Sequence, residues 1–334
     1  MKVNIKRVAE EAGVSTATVS RVINGSDRVK EETRKKVLRV IKKLGYKPMP
    51  ALRKIADLNY TIGVLVPNLV GDHYNEMVMA IEDYASKNGF ELIVSIPKML
   101  PESERYVLDQ FFKRKIDGVI LCELYTGVTY LEPFLKSGVP IVALDYNIED
   151  ITCDSVNVNN KQGAFIAMNH LYENGHRKIL FIRGPHLSPA ALEREKGVLK
   201  FLKKHDDVEV FYSEFEGYEP EIGYESVIAH LEKYGKNFTA IFTINDWTAT
   251  GALSALYEKG LKVPEDISLV GFDDAPYVKY IVPPLTTIKQ PRWEMGQTAA
   301  QLLIERIQNK GSNIPKNVIL QPQLIVRKSV KKIG

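Results

Sequence analysis

From Tyr60 onward the chain repeats one pattern: a short unbroken apolar run, an amphipathic stretch, then another apolar run. "YTIGVLVP" (60–67) is followed by "YNEMVMAIEDYASKNG", which stops at Gly89. Then come "FELIVSI", "ESERYVLDQFFKRK", "IDGVILC", "LEPFLKSG" and "VPIVALD". Continuous apolar runs of this length suit strands buried on both faces. Strand–helix alternation leads to a mostly parallel sheet with helices on both sides. A second series follows: "AFIAMNHLYENG", "RKILFIRGP", "REKGVLKFLKKH", "VEVFYS", "GYESVIAHLEKYG", "TAIFTIND", "TATGALSALYEKG" and "ISLVGFDD". Two similar doubly wound α/β subdomains facing a cleft are therefore predicted. In such sheets ligands bind beyond the carboxyl ends of the strands.

The first 55 residues are different in kind. They hold 15 Lys and Arg against 5 Asp and Glu, a net of +10, while the remaining residues sum to −6. A small basic head on a mildly acidic body suggests a polyanion partner, although a solvated basic helix face would look the same. The chain's 334 residues allow two to three domains, and 45% hydrophobic residues supply a sizeable core. No apolar run approaches the roughly 18–20 residues of a membrane span. "MKVNIKRVAEEAG" has no apolar signal-peptide core, so a cytoplasmic, nucleoid-associated protein is expected. Cys122 and Cys153 form no disulfide framework or zinc spacing, and the six histidines show no metal-ligand spacing. No metal or cofactor is expected.

In the head, Asn4 can cap a helix over Ile5–Ala12, whose Ile5, Val8, Ala9 and Ala12 form one apolar face. Gly13 breaks it. Ser15 can cap a second helix, "TATVSRVI", with Val19, Val22 and Ile23 inward, and "NGSD" ends it. A third helix, "EETRKKVLRVIKKL", stops at Gly45. Two short helices joined by a Gly turn, with a third across them, form the helix-turn-helix layout, in which the second helix enters the major groove. That helix exposes Thr16, Ala17, Ser20 and Arg21. Arg can read guanine bidentately and Thr offers a hydroxyl and a methyl, while Ser15, Ser20, Arg28 and Lys30 suit phosphates. Any small three-helix bundle is the plain alternative.

"VAEEAGVSTATVSRVING…VKEETRKKVLRVIKKLGYKP" closely resembles the N-terminal domain of the lactose-repressor (LacI/GalR) family of bacterial transcription regulators. The matches are Val8-Ala9, Ala12 to Ser15, Thr18 to Val22, Asn24, Thr33-Arg34, Val37 and Leu44 to Pro48. Arg7 departs from a common Asp, and Lys30 from a common Ser. "GHRKILFIRGP", "NDWTATGALSAL", "GLKVPEDISLVGFDD" and "PPLTTIKQPRWEMGQTAAQLL" extend the resemblance over the body, whose fold is similar to periplasmic sugar-binding proteins. The resemblance implies a helix-turn-helix domain over 1–47 and a hinge helix and linker over 48–59. It implies a core over 60–334, one subdomain being about 60–159 with 289–319 and the other about 160–288 with 320–334. The DNA-facing set it implies is Asn4, Lys6, Ser15, Thr16, Ala17, Thr18, Ser20, Arg21, Asn24, Arg28, Leu52, Arg53 and Ile55. Pro48 stops helix three and Pro50 can start the hinge helix, Ala51–Ala56, which is too short to be stable alone. By resemblance it folds on operator DNA and wedges an apolar side chain into the minor groove. Ile55 stands where the family usually has Leu, Leu52 where it has a small Ala, and Met49 where Asn is common.

Strand ends supply the effector candidates: His73, Tyr74, Asp145, Tyr146, Arg194, Tyr218, Asn245, Asp246 and Asp273. Asp and Asn can grip clustered hydroxyls, Arg donates, and aromatic faces cover C–H surface, so a carbohydrate-like small molecule fits. Plain readings compete: Asp246 as a helix cap, Tyr218 as an ordinary half-buried aromatic, His73 as an exposed loop residue. Asn159-Asn160 in place of Asp-Asn, and His73 in place of Phe, depart from the family. No Walker loop, GxSxG elbow or HExxH is present, and a non-enzymatic regulator is expected. The resemblance implies a homodimer, possibly a tetramer, on a pseudo-palindromic operator, repressing carbohydrate-related genes under effector control. A co-repressor gated by a phosphoprotein is the alternative. A soluble sugar-binding protein or a sugar-phosphate enzyme is the distant one.

Overall fold

A computed structural model describes residues 5–23, 29–44, 58–69, 73–97, 100–122, 124, 126–146, 148, 151–310 and 314–333. The hinge segment, with Leu52, Arg53 and Ile55, lies outside them, as do Asn4, Asn24 and Arg28.

The head forms three helices: α1 (Ile5–Ala12), α2 (Thr16–Ile23) and α3 (Glu31–Leu44). Their bounds are those the apolar spacing predicts. Val8, Ala9 and Ala12 of α1 meet Val19 and Val22 of α2 and Val37 of α3 in one small core. Gly13, at φ +60°, lets the chain turn. Its N–H donates to the Glu10 carbonyl at 3.1 Å and that of Val14 to the Ala9 carbonyl at 3.0 Å, satisfying carbonyls that α1 leaves open. Ser15 caps α2, its Oγ accepting from the Thr18 N–H at 3.1 Å. Lys43 of α3 reaches back to Glu11 of α1 at 2.7 Å.

The chain divides into two compact units. The first comprises residues up to Asn68 with Val78–Val156 and Gly296–Val318; the second comprises Leu69–Met77, Asn157–Met295 and Ile319–Gly334. Of the expected 60–159 and 289–319 grouping, residues 69–77, 157–159, 289–295 and 319 fall in the second unit.

In the first unit, β1 (Thr61–Leu65), β2 (Glu91–Ser95), β3 (Gly118–Leu121), β4 (Ile141–Leu144), β5 (Asp154–Val158) and β11 (Asn317–Leu320) share a sheet in the order β11-β5-β4-β3-β1-β2. Helices α5 (Pro101–Lys113) and α6 (Glu132–Ser137) cover one face, with Leu108, Phe111 and Phe134 against Leu65, Val119, Leu121 and Ile141. Leu303 and Ile307 of α11 (Arg292–Ile307) lie over the Cα of Gly118, on β3. Arg306 of α11 forms a buried two-pronged ion pair with Asp154 of β5, both contacts 2.7 Å. Asp117 takes the N–H groups of Asn59 (3.0 Å) and Thr61 (3.0 Å), and the Asn59 amide donates to the Lys115 carbonyl at 2.8 Å. The chain leaving the basic head is therefore clasped as it enters β1.

In the second unit, β6 (Lys178–Ile182), β7 (Glu209–Tyr212), β8 (Ala240–Thr243), β9 (Ser268–Asp273), β10 (Thr286–Lys289) and β12 (Gln323–Ile325) take the order β12-β10-β9-β8-β6-β7. The two orders correspond strand for strand. All pairings here are parallel except β10 with β12. Successive residues of β6 face opposite ways, as a two-residue pleat requires. Ile179 and Phe181 pack under α7 (Asn160–Glu173) and α8 (Pro189–Leu202); Leu180 and Ile182 pack under α9 (Pro220–Tyr234) and α10 (Asp246–Glu258). The doubly wound expectation is met. Buried His176 ties the end of this unit down, its ring meeting Thr239 Oγ1 at 2.9 Å and the Lys331 carbonyl at 3.2 Å.

Candidate functional site

On the basic head, the capped start of α2 presents Thr16, Ala17 and Arg21 to solvent, and Lys6 and Arg7 of α1 are exposed as well. Ala17 and Arg21 are four apart, so they share a face of α2. The Ser15 hydroxyl is engaged twice, by the Thr18 N–H and at 2.9 Å by the Thr18 hydroxyl, so this pair shapes the start of α2. Ser20 lies on α2, with its side chain outside the described set.

In the second unit the strand order switches sides between β6 and β8, which run parallel, and the chain's polar residues gather beyond the carboxyl ends of β6, β8 and β9. Arg194, projecting from α8, is 3% exposed. Its Nε donates to Asn160 Oδ1 at 2.8 Å, its Nη1 to the Ile244 carbonyl at 2.6 Å, and its guanidinium lies 3.8 Å from the centre of the Phe272 ring. Three fixed supports leave Nη2 directed at Asp273 Oδ1, 3.7 Å away. Asp273 ends β9 at φ +123° and is followed by Asp274 at φ +58°, two non-glycine residues in left-handed backbone.

That turn is held from several sides. Asp246, fully buried, accepts the Ala275 N–H at 2.8 Å and the Thr287 hydroxyl at 2.6 Å. The space for its carboxyl exists because residue 271 is glycine: a Cβ there would sit 2.1 Å from Asp246 Oδ1. Burial, reinforced by the charge of Asp273, pushes the Asp246 carboxyl well above the usual carboxylate range. Both oxygens are consumed by this bracing, so Asp246 is a strut beneath the turn, neither an open ligand contact nor the cap of α10. The cap is Asn245, whose Oδ1 accepts the Thr248 N–H at 2.7 Å and whose Nδ2 donates to the Tyr218 carbonyl at 3.2 Å. The Tyr218 hydroxyl meets Ser188 Oγ at 2.6 Å, so the ring is tethered at both ends.

Two residues absent from the sequence candidates complete the cluster. Gln290, 1% exposed, donates from Nε2 to Asp273 Oδ1 at 2.6 Å, while its Oε1 has no hydrogen-bond partner among the described residues. Arg292 donates to the carbonyls of Asp273 (2.6 Å) and Asp274 (3.1 Å), and its Nε to Glu76 Oε2 at 2.8 Å. Glu76 belongs to α4 (His73–Lys87), whose first turn carries His73 and Tyr74. His73, whose plain reading was a loop position, thus opens the helix, and its ring meets that of Tyr74 edge-on at 4.7 Å. Asp145 and Tyr146 lie in the first unit, just past β4; Asp145 too is left-handed, at φ +56°.

Residues 4–49 match the model of bacterial regulatory proteins of the lacI family, and residues 168–330 that of the periplasmic binding protein-like domain. The HTH-type transcriptional repressor PurR of Actinobacillus pleuropneumoniae is 37% identical over 337 residues, covering 99% of each chain. The chain belongs to the LacI family of bacterial regulatory proteins. Among solved structures, the transcriptional regulator CelR–cellobiose complex is 29% identical with a TM-score of 0.73, over 98% of this chain and all of that one. The lac repressor dimer bound to operator and the anti-inducer ONPF is 28% identical with a TM-score of 0.73, over 99% of this chain and all of that one. This LacI-family chain is a DNA-binding transcriptional regulator, with the helix-turn-helix and periplasmic-binding-protein-like fold that its sequence announces. No helix among the described residues is long and apolar enough to cross a membrane.

Proposed function

We propose that this regulator is a homodimeric repressor whose operator affinity is set by a small, neutral, polar molecule, a sugar or close derivative. The observation that carries this reading is the Arg194–Asp273 pair. A donor and an acceptor stand side by side at the strand ends, each locked by second contacts. A sugar hydroxyl both donates and accepts, and a pair of such groups spanned by the two side chains would satisfy both. One cation against one anion gives no net attraction for a phosphate, which favours a neutral ligand. The solved relative with bound cellobiose supports the class. A planar heterocycle with adjacent N–H and C=O would satisfy the same pair, so nucleobases form the second arm of the test.

Thr16, Ala17 and Arg21 would read base edges, with Lys6, Ser20 and Arg28 on phosphates. Dimerisation fits the exposed apolar side chains of the second unit, Tyr257 (87% exposed), Tyr280 (77%) and Val282 (90%). A two-fold protein would bind a pseudo-palindromic operator. The deciding experiment is a thermal-shift panel of sugars, sugar phosphates and nucleobases, followed by gel-shift titration on an operator selected from random duplexes. At a hundredfold excess over Kd a ligand stabilises the folded state by about 2.7 kcal/mol. A sugar that shifts both melting and operator binding supports the reading. A nucleobase that does so replaces the sugar, and a shift only with a phosphoprotein overturns small-molecule control.

A further inference from the structure

β7 is the last strand on one edge of the second sheet, and a pocket of about 300 Å³ lies between it and α9. On α9 the lining residues Ser226, Ala229 and His230 recur at three- and four-residue spacing and so share one face. The first two are small and leave the hollow. His230 and Phe211 of β7 wall it, their rings meeting edge-on at 5.2 Å, and Tyr234 adds a third ring 5.1 Å from His230. The pocket shares no residue with the Arg194–Asp273 cluster.

Polar side chains line it at Tyr212, Ser213, Glu214, Ser226, His230 and Tyr234; Ser213 Oγ is already engaged, donating to the Phe215 carbonyl at 2.7 Å and accepting from the Arg183 N–H at 3.0 Å. Ser226 is 2% exposed, and its hydroxyl has no hydrogen-bond partner among the described residues. Burying a hydroxyl without a partner is unfavourable, so the position is poised for an incoming group. His230, 7% exposed, meets Asn237 Oδ1 through Nε2 at 2.7 Å. An amide oxygen only accepts, so Nε2 carries the proton and Nδ1 is left as an acceptor. At the rim, Glu214 and Lys233 are paired with each other and present no net charge.

We infer that this pocket is a second ligand site, built for a single-ring aromatic compound of phenol type. The volume is at the low end for ligand pockets and holds one ring. Three aromatic side chains favour a flat face. One hydroxyl and one imidazole nitrogen match a single phenolic O–H, which donates to Nδ1 and accepts from Ser226.

The test is phenol titrated into the full-length protein, followed by calorimetry and by the ring resonances of His230 and Phe211. Saturable binding with a Kd near or below about 1 mM is expected, with both resonances shifting. Ser226→Ala removes the hydrogen bond and raises Kd about tenfold, while the unliganded protein melts no lower than wild type because an unpartnered buried hydroxyl is gone. Ala229→Leu fills the hollow and abolishes binding; if that variant fails to fold, Ser226→Ala decides. Asp273→Asn keeps wild-type phenol affinity. Absence of saturable binding, wild-type affinity in Ser226→Ala, or loss of phenol binding in Asp273→Asn overturns the inference.

Discussion

Replacing Asp273 with Asn separates ligand recognition from internal charge balance. The side chain keeps its shape, and its remaining Oδ1 can still accept from Gln290 Nε2, now at 2.6 Å. What disappears is the negative charge 3.7 Å from Arg194 Nη2. At an effective dielectric near 20, two unit charges at that distance attract by about 4 kcal/mol. Part of this loss is offset, because the same charge opposes ionisation of Asp246, and its removal relieves that repulsion. The expected net destabilisation is about 1–2 kcal/mol, read as a modest fall in melting temperature. Ligand binding suffers more in relative terms. A hydrogen bond to a charged group is worth about 1.5–3 kcal/mol, so the Kd of the proposed sugar ligand, measured by calorimetry, rises about ten- to a hundredfold. Operator binding by the unliganded variant stays at the wild-type level, since α2 is untouched. If the sugar binds Asp273→Asn within twofold of wild type while the melting temperature falls, Asp273 is only the counter-ion of Arg194 and the proposed site is wrong.

Three further outcomes are expected. Arg21→Ala weakens operator binding by about 1–3 kcal/mol and relaxes sequence preference, and a gel-shift series with single-base operator variants checks both. His176, held neutral by burial with its pKa lowered to about 4, makes the second unit acid-sensitive. The unfolded ring takes up a proton near pH 6.5 and the folded one does not, so stability is full above that pH and falls across the window down to about 4. The loss is about 2 kcal/mol, below the full value of the shift because part of the ring's surroundings is polar. Histidine proton resonances against pH, with His176→Gln melting as the control, measure it; titration of this ring near 6.5 contradicts the account. Arg306→Leu strands the buried Asp154 carboxylate and destabilises the first unit by about 3–5 kcal/mol, whereas replacing both partners with apolar residues recovers most of that loss in urea unfolding.

Much of this architecture was legible from residues alone, and the failures have physical reasons. α1, α2 and α3 are readable to the residue because Val8, Ala9 and Ala12, then Val19 and Val22, then Val37, Val40, Ile41 and Leu44 each fall at helical spacing, and Gly13 and Ser15 punctuate them chemically. The long strands of both sheets are equally plain. β5, β10, β11 and β12 are not: they are short or polar, and Asp154 within β5 is neutralised by Arg306, 152 residues away, which no local window can see. α8 begins at Pro189, five residues before the run that suggested it, because Ser188 caps it and proline suits its first turn. Arg194 and Asp273 were identifiable at strand ends and beside a glycine-spaced helix. Asp246 was misjudged because exposure at a strand end is a tertiary property; its neighbour Asn245 took the cap and left it to bury beneath Ala275. Gln290 and Arg292 were missed because their partners, Asp273 and Glu76, come from other elements. The one local hint is the stretch "KQPR", which starts on Lys289, the last residue of β10, and carries three polar side chains.

The clasp on Asn59 has a mechanical meaning. Asp117 grips the backbone on both sides of Tyr60, so the linker is anchored at its core end like a cable at a cleat. Any displacement of β1 is transmitted to the chain at Asn59 without slack. Covalent geometry then bounds the span: fourteen residues separate Leu44 from Asn59, a reach of at most about 50 Å. A regulator built this way carries its own ruler. Asp117→Ala would pay out extra line at the cleat and, in the proposed dimer, loosen the spacing of half-sites that the two heads span without altering a single base contact.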